Sequence, residues 1–241
     1  MQWLPEGWVP RAVAVDIDGT LTDENKCLHT GAILSLRRIE ENGIPVILCT
    51  GNVRAITYGL WRFLQLSGPM VSENGGVVWH PTWEEPIIRA EGSRARQAAD
   101  WLATRIDGLD PNGIESNAWR ESEWCLRISE DDIRIKEELA QSEWDDLLVV
   151  RTGFAIHLTE PHLTKGEGLQ LALDKLDICP GDVLAIGDAP NDIPMFELVK
   201  HSVAVGESFP DLQQIASVNS PYKRGDTFIP LVDEILSHFS D

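Results

Sequence analysis

Two aspartates separated by one residue, Asp16 and Asp18, stand directly after an apolar run at residues 13–15 and before Gly19. Continuous small and β-branched residues are typical of a buried strand, and glycine lets the chain turn out of it. The two carboxylates then lie at the carboxyl end of a strand, where open α/β sheets bind ligands. Two acids this close repel each other unless a cation or a shared proton relieves them. A solvated Asp-Gly turn is the alternative interpretation.

A second acidic motif has the same setting. Residues 183–186 are apolar, Gly187 follows them, and Asp188, Asn191 and Asp192 come next. Two carboxylates at the head of a turn or helix suit a hard cation such as Mg²⁺, which keeps several of its waters. The alternative is a pair of helix-capping aspartates stabilised by the helix dipole.

Groups able to bind an anion follow a further apolar run and begin a later helix. Thr50, Gly51 and Asn52 offer a hydroxyl and backbone amides at a helix start, which is a favourable anion site, although a helix cap is the competing interpretation. Lys165 begins a predicted helix, where the helix dipole disfavours a cation. A lone lysine is usually a solvated surface charge, but the placement of Lys165 against the dipole preference argues for a different role.

The four motifs, taken in their order along the chain, resemble those of phosphatases of the haloacid dehalogenase superfamily. The first superfamily motif is an apolar strand ending in Asp-x-Asp-Gly-Thr-Leu, which matches residues 16–21. The second is a Ser or Thr at a strand end, the third is a Lys, and the fourth is a Gly-Asp-x-x-Asn-Asp pattern. They correspond here to Thr50, Lys165 and residues 187–192.

The resemblance implies Mg²⁺-dependent hydrolysis of a phosphomonoester through a covalent aspartyl-phosphate. Asp16 would be the nucleophile, and Asp18 would protonate the leaving alcohol and then accept a proton from the attacking water. The implied phosphate-binding residues are Thr50, Gly51, Asn52, Lys165 and Asn191. The implied Mg²⁺ ligands are Asp16, Asp18 through its backbone carbonyl, Asp188, and Asp192 directly or through water.

The short length and the place of the insertion are most similar to Cof-like members, and among these to archaeal phosphoglycolate phosphatases. That similarity implies 2-phosphoglycolate as the substrate, and hence a basic residue of the cap near the site for its carboxylate. Arg120, Arg127 and Arg151 are candidates. A sugar-phosphate phosphatase and a phosphomutase with the same core are alternatives, and a non-catalytic binding protein is a further one.

Composition limits the partners. The formal net charge of −19 argues against nucleic acid, because phosphate backbones are bound by Lys and Arg. No apolar stretch approaches the roughly 20 residues of a membrane helix, and the first ten residues do not resemble a signal peptide, so we expect a cytoplasmic protein. The four cysteines are too far apart for a Cys-x-x-Cys pair. Five tryptophans between residues 83 and 144 form either a small core or a homodimer contact.

Alternating strands and helices on both sides of a segment of different texture predict an α/β fold. The expected architecture is a Rossmann-like core with a parallel sheet, formed by residues 1–79 and 160–241, and an inserted smaller α+β cap at residues 80–159. The strands predicted for the core lie at residues 13–16, 44–50, 69–72, 77–79, 183–186 and 202–205. The cap is predicted to have helices at 93–106 and 131–142, a strand or hairpin at 119–128, and strands at 147–151 and 155–158. The last helix predicted for the core lies at residues 227–239.

Overall fold

The computed structural model describes residues 2–238, which contain eleven strands in two sheets and eight α-helices. The strands are β1 (Ala12–Val15), β2 (Val46–Cys49), β3 (Met70–Ser72), β4 (Val77–Trp79), β5 (Ile87–Ile88), β6 (Trp124–Arg127), β7 (Leu148–Arg151), β8 (Ala155–Thr159), β9 (Val183–Gly187), β10 (His201–Gly206) and β11 (Val218–Lys223). The helices are α1 (Thr30–Glu41), α2 (Arg54–Leu64), α3 (Ser93–Ala103), α4 (Asp132–Leu139), α5 (Lys165–Leu176), α6 (Ile193–Leu198), α7 (Pro210–Ile215) and α8 (Phe228–Ser237).

The larger sheet has eight strands in the order β11-β10-β9-β1-β2-β3-β4-β5. Its strands from β11 to β3 are parallel, and β4 and β5 are added antiparallel at one edge. In the register of the central strands, Val15 is level with both Leu48 and Ile186. The carboxyl ends of β1, β2 and β9 therefore meet at one edge of the sheet, as the predicted α/β fold requires.

Side chains that alternate along β1 divide between two hydrophobic cores. Val13 and Val15 pack on one face with buried residues of α1 and α8, while Ala12 and Ala14 pack on the other with residues of α5, α6 and α7. A strand that is buried on both faces needs an apolar side chain at every position, and this explains the continuous apolar run in β1. None of the described helices is both long and apolar enough to span a bilayer.

The second sheet has three antiparallel strands in the order β6-β8-β7. Helices α3 and α4 pack on it around a separate core that includes Leu102, Leu126, Ile135 and Ile156. This α+β unit is the predicted inserted cap. Strand β5 pairs with β4 of the larger sheet although it follows residue 79, and the stated domain boundaries remain a prediction.

Some elements differ from the sequence-based expectations, and β5 at residues 87–88 is one that was not predicted. Strand β11 was not predicted, because Pro221 lies within it and proline is tolerated only at a sheet edge, where β11 lies. The strand expected at 119–128 is confined to β6, because Glu115–Trp119 forms a 3₁₀ turn and the residues after it contact the core. The helix expected at residues 227–239 ends at Ser237 in α8, and Phe239 lies outside the described residues.

A buried turn at Glu73–Gly75 connects β3 to β4 with three successive positive φ angles of 51°, 53° and 94°. The last of these falls on Gly75, which packs directly against the start of α5. A Cβ atom on Gly75 would lie 2.0 Å from the backbone oxygen of Thr164, the N-cap residue of α5. The turn thus needs glycine both for its backbone conformation and for the space.

Gly75→Ala is expected to lower the free energy of unfolding by more than Gly43→Ala. Both glycines have positive φ, so each alanine costs about 1–2 kcal/mol of backbone strain. Alanine at position 75 must also displace the start of α5, whereas nothing lies within 4 Å of a Cβ at position 43. Urea-induced unfolding of both variants and the wild type at one pH measures the difference, and equal losses would contradict the packing explanation.

Candidate active site

Every catalytic, phosphate-binding and metal-binding residue predicted from the sequence lies at one edge of the larger sheet. A cleft of about 540 Å³ opens there between the core and the β7–β8 loop of the cap. Five of the predicted residues line this cleft, namely Asp16, Asp18, Gly51, Asp188 and Asn191. The other four are more enclosed behind it: Thr50, Lys165 and Asp192 are buried, and Asn52 is half-buried.

Lys165 is the positive centre of the site. Its Nζ donates hydrogen bonds of 2.6 Å to Oδ1 of Asp16 and 2.6 Å to Oδ1 of Asp192, and its side chain is fully buried. Burial alone would lower the pKa of Lys165, but the two carboxylates outweigh it and raise the pKa above its usual value. The ammonium group therefore stays charged and fixed beside Asp16.

The carboxylates around this ammonium carry more negative charge than it neutralises. Carboxylate oxygens of Asp16, Asp188 and Asp192 lie within 4.8 Å of one another. Burial raises the pKa of Asp16 well above its usual range, Lys165 opposes the rise, and the neighbouring carboxylates add to it. Burial, and then the charge of Asp192, raise the pKa of Asp188 to about 7. Such a set of oxygen donors fits a hard divalent cation, which would relieve the repulsion.

Asp192 holds the loop of the fourth motif. Its Oδ2 accepts hydrogen bonds from the backbone N–H groups of Asp188 (2.9 Å) and Ala189 (3.1 Å), while its Oδ1 accepts from Lys165. Both oxygens of this buried carboxylate thus accept hydrogen bonds, and the bonds to the loop hold Asp188 at the cleft. The first motif approaches closely here, because a Cβ on Gly19 would lie 2.3 Å from Oδ2 of Asp188.

Asn52 connects the second motif to Asp18. Its Nδ2 donates to Oδ2 of Asp18 at 2.6 Å and to Oγ1 of Thr50 at 3.1 Å, and its backbone N–H also donates to Oγ1 of Thr50 at 3.1 Å. The N-cap residue of α2 is Val53 and makes no side-chain bond, so Thr50 does not act as the cap of this helix. The sequence predicted an amide role for Asn52 but not its side-chain contact with Asp18.

The three arginines proposed for a substrate carboxylate are placed differently. Arg120 is fully buried in an ion pair with Glu123, and Arg127 pairs with Asp110 of the cap. Arg151 lines the cleft, but its guanidinium already donates to two backbone carbonyls and one carboxylate of the cap. The cleft has two further cationic side chains that the sequence reasoning missed, Lys26 and Arg224, both from the core.

A buried polar network runs from the fourth motif into the cap. Nδ2 of Asn191 donates to Oδ1 of Asn74 at 3.1 Å, and Nδ2 of Asn74 lies 3.2 Å from Nδ1 of His157 and 3.3 Å from Oε2 of Glu123. His157 belongs to β8, and Glu123 directly precedes β6. The turn Glu73–Gly75 therefore lies between the cap sheet and the edge of the larger sheet at which the four motifs meet.

The same network returns to the second motif. Oε1 of Glu123 lies 2.8 Å from Nδ1 of His157 and also pairs with Arg120, whose Nη1 donates to the carbonyl of Gly51 at 3.1 Å. Burial would raise the pKa of Glu123, but His157 and Arg120 outweigh it and lower the pKa. Although ligand atoms of Glu123, Cys125 and His157 lie within 4.8 Å of one another, the Arg120 cation already neutralises this group, so it is an ion network.

Glu73 completes the attachment of the cap. Its carboxylate accepts from the backbone N–H groups of Glu121 and Ser122 and from Oγ of Ser122 at 2.8–3.1 Å. Its own backbone N–H donates to the carbonyl of Asn52 at 3.0 Å. The sequence reasoning did not find these long-range bonds. The available signal was His157, a polar residue between the apolar Ile156 and Leu158 of a predicted strand.

Comparisons with known proteins agree with this geometry. A family model described as haloacid dehalogenase-like hydrolase matches residues 13–104 and 122–227. Proteins named phosphoglycolate phosphatase from Methanothermobacter thermautotrophicus and from Haloarcula marismortui are each 36% identical to this chain. Their alignments extend over 217 and 221 residues, and each covers 90% of this chain and 94% of the relative.

Solved structures show the same fold. A crystal structure from Thermoplasma acidophilum aligns with a TM-score of 0.85 at 24% identity, covering 94% of this chain and 98% of that one. A haloacid dehalogenase-like hydrolase from Bacteroides thetaiotaomicron aligns with a TM-score of 0.77 at 20% identity, covering 93% and 98%. The family match and the two archaeal relatives confirm the resemblance predicted from the four motifs: this chain belongs to the haloacid dehalogenase-like hydrolases.

Proposed function

We propose that this enzyme hydrolyses a small phosphomonoester, with Mg²⁺ as cofactor and Asp16 as the nucleophile, and that 2-phosphoglycolate is its substrate. The observation that carries the reaction is the cluster of Asp16, Asp188 and Asp192 around the buried ammonium of Lys165, at the base of an open cleft. The substrate is supported by the relatives named phosphoglycolate phosphatase, which match nearly the whole chain.

The reaction divides into two steps. In the first, a carboxylate oxygen of Asp16 attacks phosphorus, and the bond from phosphorus to the leaving oxygen breaks while Asp18 gives that oxygen a proton. In the second, water attacks phosphorus, Asp18 accepts its proton, and inorganic phosphate leaves with Asp16 restored. The 2.6 Å bond from Asn52 orients Asp18 for both transfers.

Lys165 and the second motif stabilise the transferring group. The fixed ammonium beside Asp16 offsets the negative charge of the phosphoryl oxygens, and the Thr50 hydroxyl and the amides of Gly51 and Asn52 supply hydrogen bonds. Asp16, Asp188 and the Asp18 carbonyl would hold the Mg²⁺, which when bound neutralises further phosphate charge. Asp192 orients Asp188 and Lys165 through its two oxygens and would also ligate the Mg²⁺, directly or through water.

Activity is tested with a panel of small phosphomonoesters that includes 2-phosphoglycolate and sugar phosphates, with Mg²⁺ or with EDTA. We expect hydrolysis that EDTA abolishes, that is highest for 2-phosphoglycolate, and that Asp16→Asn lowers by at least about 10³-fold, since removal of a nucleophile is among the largest single effects. Asp100→Asn, at an exposed position of α3, is the matched control. An active Asp16→Asn protein would exclude Asp16 as the nucleophile, and dependence on a sugar bisphosphate would indicate a mutase.

The role of Asp18 is tested with 4-nitrophenyl phosphate, whose leaving group needs no proton. Asp18→Asn is expected to release about one equivalent of nitrophenolate per site rapidly and then to turn over slowly, because only the second step still needs the base. With an alkyl phosphate the same variant should be slow from the first turnover. Stopped-flow absorbance measures the burst. Equal slowing of the first turnover for both esters would argue against Asp18 as the acid.

The charge cluster predicts a pH-dependent stability without metal. Because the pKa of Asp188 is about 7 in the folded protein and 3.8 is its ordinary value, ionisation of this carboxyl destabilises the folded state progressively as the pH rises from about 4 to 7. In EDTA, Asp188→Asn should therefore become more stable relative to the wild type as the pH rises from 5 to 8.

Urea unfolding at several pH values measures this difference, and Asp100→Asn again serves as control. Added Mg²⁺ should stabilise the wild type at pH 8 more than it stabilises Asp188→Asn, because bound cation favours the folded state. A difference in stability that does not change with pH would show that burial and the neighbouring Asp192 do not raise the pKa of Asp188 as described.

A further inference from the structure

The cleft has a second charged region apart from the Asp16–Lys165 centre. Its wall includes Lys26, from the loop between β1 and α1, and Arg224, from the turn between β11 and α8. The same wall contains Phe154 from the cap and Phe209 from the core. A small ester whose phosphoryl group reaches Asp16 would lie against these residues with its leaving group.

Lys26 and Arg224 are joined at one backbone carbonyl. The oxygen of Asp23 accepts from the backbone N–H of Lys26 at 3.1 Å and from Nη1 of Arg224 at 2.9 Å. The carboxylate of Asp23 is used inside its own loop, where Oδ1 accepts from the N–H groups of Asn25 (2.8 Å) and Cys27 (3.0 Å). Asp23 therefore holds the Arg224 guanidinium beside the loop of Lys26, while its carboxylate accepts from backbone groups of that loop.

Neither cation has an acidic partner. Among residues 2–238, no carboxylate oxygen forms a salt bridge with Lys26 or Arg224, although the chain carries 39 acidic residues. Nζ of Lys26 makes one hydrogen bond, at 3.2 Å to the carbonyl of Gly153 in the cap loop, so further donors stay available. The guanidinium of Arg151 on the same cleft is, in contrast, already bonded to three acceptors.

We infer that Lys26 and Arg224 form a subsite for a second anionic group, carried by the leaving alcohol of the substrate. This inference rests on the proposed function and assigns the specificity to residues of the core, where the sequence had suggested arginines of the cap. An ammonium and a guanidinium with spare donors bind a carboxylate or a second phosphate by charge-assisted hydrogen bonds. A neutral alcohol leaves both cations without a partner, so the site selects against it.

The contact of Lys26 with Gly153 adds a connection to the cap. Gly153 lies in the loop that joins β7 to β8, and both flanking residues, Thr152 and Phe154, line the cleft. An anion bound at Lys26 therefore lies where core and cap meet. Binding of the leaving group and the position of this cap loop therefore both depend on the Lys26 ammonium.

The test compares 2-phosphoglycolate with ethyl phosphate, which has the same two carbons but lacks the carboxylate. The ratio of their kcat/KM values is expected to fall about 10–100-fold in Lys26→Met and in Arg224→Met, because the discriminating charge is removed. Lys200→Met, at an exposed lysine away from the cleft, should keep the wild-type ratio. Ethylene glycol bisphosphate in the same panel distinguishes a carboxylate subsite from a phosphate subsite.

Failure of the subsite and failure of the proposed function give different results. If rates fall but the ratio stays at its wild-type value in both variants, the subsite is wrong and the hydrolase assignment stands. If the wild type hydrolyses no phosphomonoester, the proposed function is wrong. Calorimetry on Asp16→Asn with Mg²⁺ then decides the subsite independently, since 2-phosphoglycolate should bind more tightly than ethyl phosphate and lose that advantage when Lys26→Met is added. Equal affinities would overturn it.

Discussion

The site depends on one buried ammonium group held between two carboxylates. Nζ of Lys165 lies 2.6 Å from a carboxylate oxygen of Asp16 and 2.6 Å from one of Asp192. It therefore fixes the first motif against the fourth, although Lys165 and Asp16 are 149 positions apart in the chain. Removing one partner of such a buried group costs about 3–5 kcal/mol, because an unpaired charge remains in the interior. The parallel sheet makes the contact possible by ending β1, β2 and β9 at the same edge.

The surplus of negative charge is the second constraint. Structural stability alone would favour fewer carboxylates here, since burial and mutual repulsion raise the pKa of both Asp16 and Asp188. A divalent cation would balance this surplus charge, and a site that binds one accounts for the arrangement. The turn Glu73–Gly75 then connects the centre to the cap, because its residues bond to the second motif, to the fourth motif, to residues just before β6 and to His157 of β8.

Local patterns in the sequence predicted the strand ends, the four motifs and the α+β character of the cap, because each depends on neighbouring residues. Contacts between segments that are far apart in the sequence could not be predicted from such local patterns. Arg120 was a candidate substrate ligand, but its side chain is buried, pairs with Glu123 and donates to the carbonyl of Gly51. Lys26 and Arg224 are far apart in the sequence, and only the fold brings them to the same cleft. The cytoplasmic location and the homodimer remain predictions.

In the proposed reaction Asp16 becomes covalently phosphorylated during turnover. The most direct measurement is to quench the enzyme in acid during turnover with Mg²⁺ and substrate, reduce it with borohydride, and analyse residue 16 by mass spectrometry. An acyl phosphate is reduced to an alcohol, so homoserine is expected at position 16, and only when substrate was present. Modification at a different residue, or none during active turnover, would contradict the account.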